Sequence, residues 1–136
     1  MSEHHLRLES ISIRLEGKQL LALDADIRGG EVLTVMGPSG AGKSSLLAYI
    51  AGFIAPVFQA SGTIRLDDEV LNTKPAEQRR IGLLFQDALL FPHLSVGGNL
   101  RFALPANTLD KAARVEAALA SIGLEGFAER DPETLS

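Results

Sequence analysis

Residues 37–45 read Gly37-Pro38-Ser39-Gly40-Ala41-Gly42-Lys43-Ser44-Ser45, and they contain the pattern G-x-x-x-x-G-K-[ST]. Small residues at the glycine positions let consecutive backbone N–H groups surround a phosphate group. In this pattern the lysine, here Lys43, spans the β- and γ-phosphates of a nucleotide, and the hydroxyl of Ser44 ligates Mg²⁺. The stretch therefore predicts a phosphate-binding loop followed by a helix whose positive N-terminal end faces the phosphates.

The segments on either side of the loop support this interpretation. Residues 31–36 are short and mostly apolar, which predicts a strand leading into the loop. Residues 45–51 predict a buried helix directly after it. A strand, a glycine loop and a helix in this order distinguish a nucleotide-binding loop from an ordinary glycine-rich turn. We therefore predict nucleotide binding.

The overall composition excludes several other classes of protein. The 136 residues carry 13 Lys+Arg and 17 Asp+Glu, and the net charge is −4. A general nucleic-acid binder needs a basic face to neutralise phosphates, so no nucleic-acid partner is predicted. The chain has no cysteine, so no disulfide framework or zinc knuckle is available. Charged residues near the N-terminus replace the apolar core that a signal peptide needs.

The remaining chain alternates strand-like and helix-like patterns, which predicts an α/β fold. Residues 60–62 interrupt the pattern and predict a break before a hairpin. The run 81–85 is continuously apolar, as is typical of a buried parallel strand. Strands are predicted at 5–15, 20–27, 63–66, 69–71 and 81–85, and a helix at 112–122 that starts near Asp110 and stops at Gly123.

Over its whole length the chain resembles the ATP-binding subunits of ABC transporters. The phosphate loop has the form found in that family. Residues 80–87 are similar to the strand that ends in the family's Q-loop glutamine, here Gln86. Residues 90–96 with Asn99 resemble the segment that opens the helical subdomain, and residues 133–136 resemble the first half of the Leu-Ser-Gly-Gly-Gln signature.

The resemblance implies a P-loop NTPase (ABC ATPase) core of the α/β class with an antiparallel β subdomain. It also implies part of a helical subdomain, with the C-terminal half of the domain missing. Residues 1–88 would form the N-terminal part of the ATP-binding core, with the antiparallel β subdomain and the P-loop. Residues 89–136 would form an incomplete helical subdomain.

The resemblance also implies a role for individual residues, with ATP and Mg²⁺ as cofactors. The backbone from Gly40 to Lys43 would hold the β-phosphate, Lys43 the γ-phosphate, Ser44 the metal and Ser45 the α-phosphate. Gln86 would touch the metal or the attacking water, which makes Lys43 and Gln86 the candidate catalytic residues. Alternatively, Gln86 has no role in binding, and its side-chain amide hydrogen-bonds to backbone groups at the end of a strand.

One position departs from the family pattern, and several of the family's catalytic motifs find no counterpart in these residues. The position that usually carries an aromatic side chain for the adenine base is Leu15, and no aromatic residue is close to it in sequence. The Walker B aspartate, the catalytic glutamate and the switch histidine find no counterpart, because Asp24 precedes the loop and His93 follows the Q-loop too closely. His93 is expected to cap or position the next helix. We therefore expect a fragment that binds nucleotide without hydrolysing it and that folds poorly by itself.

The implied partners are those of a transporter subunit. Integral membrane permease subunits would bind the segment after Gln86, a second ATP-binding subunit would complete a dimer, and a solute-binding protein would act indirectly. The implied location is peripheral, at the cytoplasmic face of the inner membrane. Residues 91–93 resemble the importer branch. Two alternatives stay open: another P-loop NTPase (a GTPase or a small-molecule kinase), and a non-catalytic module that docks on a membrane partner.

Overall fold

The computed structural model describes residues 4–135. The chain divides into two compact units, Met1–Leu84 and Phe85–Ser136. The first contains the phosphate-loop sequence, and the second contains Gln86 and the helices after it. The predicted functional boundary at residues 88 and 89 stays a prediction.

A four-stranded antiparallel sheet forms most of the first unit, with strand order β2-β1-β3-β4. Alternating apolar residues put one face of each long strand on the core. The first two strands are joined by a tight turn in which Glu16 and Gly17 both have positive φ. The strands are β1 His5–Leu15, β2 Lys18–Arg28, β3 Phe58–Leu66 and β4 Glu69–Val70.

The predicted break at residues 60–62 is wrong, since β3 continues through it. The ladder between β1 and β3 shifts register between Glu9 and Ser12. Ser10 has φ 51° on one strand and Gly62 has φ 103° on the other. Gly62 is required here because a Cβ would lie 2.5 Å from the carbonyl oxygen of Ser10. Gly62 therefore lies opposite a bulge that Ser10 and Ile11 form in β1, and it does not end β3.

The helix α1, Lys43–Ala51, packs on this sheet. The Tyr49 hydroxyl donates to the carbonyl oxygen of Gly62 at 3.0 Å, and the Asn72 amide donates to the same oxygen at 2.9 Å. The Asn72 side chain in turn accepts from the backbone of Ile64. These bonds fix α1 over β3. The buried core residues are Leu8, Ile11, Ile13, Leu46, Ile50, Ile64 and Leu71.

Two predicted strands are not formed. Residues 31–36 and 81–85 run without regular secondary structure. Val32 is 91% exposed and Leu84 is 97% exposed, so the predicted burial of residues 81–85 is also wrong. A parallel strand needs a neighbour to pair with, and no strand of the described residues 4–135 pairs with either segment.

A buried arginine holds the far end of α1. Arg79 is 6% exposed, and its guanidinium donates to the carbonyl oxygens of Tyr49 at 2.9 Å and Ile50 at 3.0 Å. It also donates to the carbonyl oxygens of Lys74 at 2.8 Å and Asn72 at 3.4 Å. A cation at this end of a helix is favourable, since the last carbonyls carry partial negative charge.

The turn between β3 and β4 contacts the start of the described chain through Asp67. The Asp67 carboxylate contacts the His4 ring at 3.1 Å and accepts from the backbone N–H of His5 at 2.8 Å. The His4 hydrogen bond, and after it the His5 backbone bond, hold the pKa of the Asp67 carboxyl below its ordinary value of 3.8.

The second unit contains the helices α2 Val96–Ala103 and α3 Lys111–Ser121. Ser95 caps α2 by accepting from the backbone of Gly98, so the capping role expected of His93 belongs to Ser95. Val96, Val115 and Leu119 form a small core between the two helices. Among residues 4–135, no helix is long and apolar enough to cross a membrane.

Candidate functional site

The predicted phosphate loop leads directly into α1. Gly40 has φ 80° and Gly42 has φ 84°, both in the left-handed region that favours glycine. Gly42 is also buried, and a Cβ there would lie 3.2 Å from the Cβ of Leu20. The two glycines therefore let the loop turn tightly while it rests against β2.

The start of α1 offers hydrogen-bond donors to an anion. Gly42 is the N-cap residue, and no side chain caps the helix. The first backbone N–H groups of a helix have no partner within it. No acidic residue lies in the first turn, so nothing there offsets the positive end of the helix dipole. The arrangement is suited to a phosphate group.

The Lys43 ammonium lies within the curl of the loop. It donates to the carbonyl oxygens of Gly37 and Pro38, each at 2.7 Å. An ammonium has three donors, so one stays uncommitted within residues 4–135. The Ala41 N–H is engaged in a turn with the Pro38 carbonyl oxygen at 3.2 Å. The Lys43 ammonium therefore lies in the loop that is predicted to bind phosphate.

The loop lines a groove of about 270 Å³. The phosphate-loop part of its wall includes a lysine and three hydroxyl side chains, and the rest of the wall is apolar. No Asp or Glu side chain belongs to the lining, so the groove is electropositive. The lining residues are Leu15, Leu20, Ser39, Gly40, Gly42, Lys43, Ser44, Ser45 and Phe58.

An aromatic residue that the sequence did not reveal belongs to this groove. Phe58 begins β3 and is the Cα partner of Leu15 in the antiparallel ladder. The two residues are far apart in sequence, and only the register of β1 with β3 places them side by side. No aromatic residue is close to Leu15 along the chain, but the fold brings Phe58 beside it.

Gln86 lies in the second unit, exposed at a bend. Its contact with metal or water stays a prediction, as do the phosphate roles of Ser44 and Ser45. Ser136, the last residue of the signature-like ending, lies outside the described residues.

A wider open hollow of about 1170 Å³ adjoins the Asp67 turn and Arg79. It contains none of the predicted site residues. In the described part of the chain, no group of three or more His, Asp or Glu side chains is arranged to hold a metal ion. The loop groove is thus the candidate site.

Curated relatives align with almost all of the chain. It is 43% identical over 134 residues to the Escherichia coli (strain K12) protein named "Uncharacterized ABC transporter ATP-binding protein YnjD", covering 96% of this chain and 62% of the relative. It is 42% identical over 140 residues to the spermidine/putrescine import ATP-binding protein PotA of Marinobacter nauticus, covering 100% and 37%. It is 43% identical over 122 residues to the thiamine import ATP-binding protein ThiQ of Vibrio vulnificus (strain YJ016), covering 88% and 51%. The chain therefore spans less than two thirds of each of these relatives.

A solved structure shows the same fold. The bacterial Atm1-family ABC exporter with ATP bound superposes with a TM-score of 0.73 at 23% identity, over 97% of this chain and 23% of the exporter chain. The predicted ABC ATPase fold class is confirmed.

The family assignment follows from the sequence match. Residues 20–136, which include the phosphate loop and Gln86, match the model of the family described as "ABC transporter". This match favours the ABC interpretation over a GTPase or a small-molecule kinase. The chain belongs to the ABC transporter family and corresponds to its ATP-binding subunits.

Proposed function

We propose that this chain binds ATP with Mg²⁺ in the loop groove and forms part of the ATP-binding subunit of an import-type transporter. The observation that carries the proposal is the position of Lys43. Its ammonium lies inside the loop, 2.7 Å from two loop carbonyl oxygens, beside a helix N-terminus that no side chain caps. Positive charge and unpaired N–H groups in one groove suit a polyphosphate.

Within the groove each residue has a separate task. The first-turn N–H groups of α1 and the Lys43 ammonium bind the phosphate oxygens, while Ser44 presents a hydroxyl for Mg²⁺ and Ser45 lies next to it for the α-phosphate. Bound magnesium would neutralise charge on the phosphates. By resemblance to the family, Gln86 would contact the metal or the attacking water.

We also propose that the 136 residues by themselves bind ATP without turning it over. Hydrolysis needs a group that orients and activates the attacking water. No carboxylate lines the groove among the described residues. Phosphate release is therefore expected to equal the background of the Lys43→Ala variant. Release clearly above that background would contradict this part of the proposal.

The transport role rests on the relatives. Two of them are named as import ATP-binding proteins, for spermidine/putrescine and for thiamine. By analogy we propose coupling to import, permease subunits as direct partners, a second ATP-binding subunit in a dimer and a solute-binding protein as an indirect partner. The corresponding location is peripheral, at the cytoplasmic face of the inner membrane.

The second unit supplies a candidate docking segment after Gln86. Leu89 is 70% exposed and Leu90 is 49% exposed, so both are available to a permease. Val96, by contrast, is buried against α3 and serves the core of its own unit. A photo-crosslinker at Leu90 in the assembled transporter should therefore label a permease subunit, and one at exposed Ile122 serves as the control.

Titration calorimetry with Mg-ATP tests the nucleotide site. Lys43→Ala should weaken binding about tenfold to hundredfold, since a hydrogen bond to a charged group is worth about 1.5–3 kcal/mol. Lys18→Ala is the matched control, because Lys18 is an exposed lysine at the start of β2 outside the groove lining. Equal affinity for Mg-ATP in the two variants would disprove the phosphate-loop assignment.

A further inference from the structure

The groove has two chemically different parts. The loop residues with Lys43 make one part of the wall, and three apolar side chains make the other: Leu15, Leu20 and Phe58. These three come from adjacent strands at one end of the sheet, where β1 ends and β2 and β3 begin. A ligand with one strongly anionic part and one flat apolar part matches such a groove.

The two parts are in direct contact. A Cβ on Gly42 would lie only 3.2 Å from the Cβ of Leu20, so the loop rests on the apolar wall. A phosphate chain held by Lys43 therefore leaves the rest of the ligand beside that wall. The volume of about 270 Å³ is near the lower end of the range for small-molecule sites, about 300–1,000 Å³.

Phe58 is held in place by its surroundings. It is half-buried, and it packs against the core of the first unit. Its backbone N–H donates to the Ala55 carbonyl oxygen at 3.0 Å, and it pairs with Leu15 in the ladder. A ring fixed in this way offers a binding face with little loss of side-chain freedom.

We propose that Phe58 is the base-stacking residue of this groove, with Leu15 and Leu20 completing an apolar seat for the nucleobase. The inference rests on the proposed binding of nucleotide at the loop. Aromatic rings bind bases through their faces, and every base has such a face.

The seat also determines how selective the site is. Leu15, Leu20 and Phe58 carry no side-chain hydrogen-bond donor or acceptor for the edge of a base. Discrimination between bases requires such groups. The groove therefore takes nucleoside triphosphates by stacking, and ATP and GTP bind with affinities within about tenfold of each other.

The experiment compares three titrants by calorimetry: Mg-ATP, Mg-GTP and inorganic tripolyphosphate, which has no base. Phe58→Leu keeps an apolar side chain on β3 and removes the ring. It should weaken ATP and GTP roughly fivefold to hundredfold, the range that corresponds to loss of base stacking. Tripolyphosphate affinity should be unchanged. Phe58→Tyr, which keeps a ring, should restore nucleotide binding.

Phe53→Leu is the matched control, being the same substitution at a partly exposed phenylalanine of the same unit outside the groove lining. It should leave all three affinities unchanged. Lys43→Ala should weaken all three titrants, since it acts on the phosphates.

The outcomes separate the two levels of inference. If Phe58→Leu binds ATP as tightly as the parent while Lys43→Ala does not, the stacking role is wrong and the nucleotide site stands. If Phe58→Leu weakens tripolyphosphate as much as ATP, the residue supports the loop and not the base. If the parent chain binds none of the three titrants, both the proposed function and this inference fail.

Discussion

Replacing Arg79 by methionine tests how the helix behind the phosphate loop is held in place. The guanidinium is almost fully buried and makes three hydrogen bonds of 3.0 Å or less, to the carbonyl oxygens of Tyr49, Ile50 and Lys74. Methionine fills similar space but donates nothing. The substitution therefore leaves three carbonyl oxygens without this partner, and two of them, those of Tyr49 and Ile50, are in the last turn of α1.

The expected cost follows from these contacts. A buried acceptor that loses its partner costs about 1–3 kcal/mol, and the lower value applies to the part-buried carbonyls of Tyr49 and Lys74. Losing a cation at a helix C-terminus adds about 0.3–1 kcal/mol. The sum is about 3–6 kcal/mol, a large share of the roughly 5–15 kcal/mol that stabilises a whole domain. For a domain of this size it lowers the melting temperature by about 15 °C or more.

Tyrosine fluorescence during thermal unfolding is the suitable assay. The chain has one tyrosine and no tryptophan, and that tyrosine, Tyr49, lies on α1 itself. The signal therefore reports on the first unit. Arg80→Met is the control, since Arg80 is the exposed neighbour. A melting temperature for Arg79→Met within about 4 °C of the control, the shift for 1 kcal/mol, would refute the reasoning. Arg79→Lys keeps the charge with fewer donors and should fall between parent and Arg79→Met.

Gly62→Ala should destabilise the first unit by roughly 2–3 kcal/mol, because its Cβ would lie 2.5 Å from the Ser10 carbonyl oxygen at a positive φ; an unchanged urea midpoint in Tyr fluorescence would contradict this. Asp67→Asn should lower the melting temperature near neutral pH and have no effect in strong acid. The folded-state pKa of Asp67 is depressed, so the contribution of Asp67 to stability is present above the ordinary pKa of 3.8 and is lost as pH falls through the lower folded value. An equal effect of the substitution near neutral pH and in strong acid would exclude that cause. Leu15→Tyr should tighten Mg-ATP about fivefold by adding a second ring beside Phe58, and calorimetry showing weaker binding would mean that the ring blocks the groove.

The parts of the fold that the sequence predicts well are those that local pattern determines. β1 and β2 alternate apolar and polar residues and are joined by a two-residue turn, so each strand finds its partner nearby in the chain. The loop and α1 are equally local, because glycine conformation and helix start depend on adjacent residues. These elements appear where the pattern places them, with ends that differ by a few residues.

Contacts between residues that are far apart in sequence cannot be predicted from local patterns. Residues 31–36 have the composition of a buried strand, but composition cannot supply a neighbouring strand to pair with. Phe58 enters the groove only through the register of β3 with β1. The burial of Arg79 also has no local signal, since Arg79 and exposed Arg80 are chemically identical neighbours. In each case the deciding partner lies far away in sequence.

The extended segment 31–36 has a consequence for how the chain behaves in solution. From Val32 to Met36, no backbone N–H donates to another residue of the described range 4–135. Val32 and Met36 are 91% and 88% exposed. Unpaired backbone groups beside apolar side chains form a template onto which an incoming strand can add. The chain should accordingly aggregate more as its concentration rises, and it should aggregate less when a strand-forming segment is supplied.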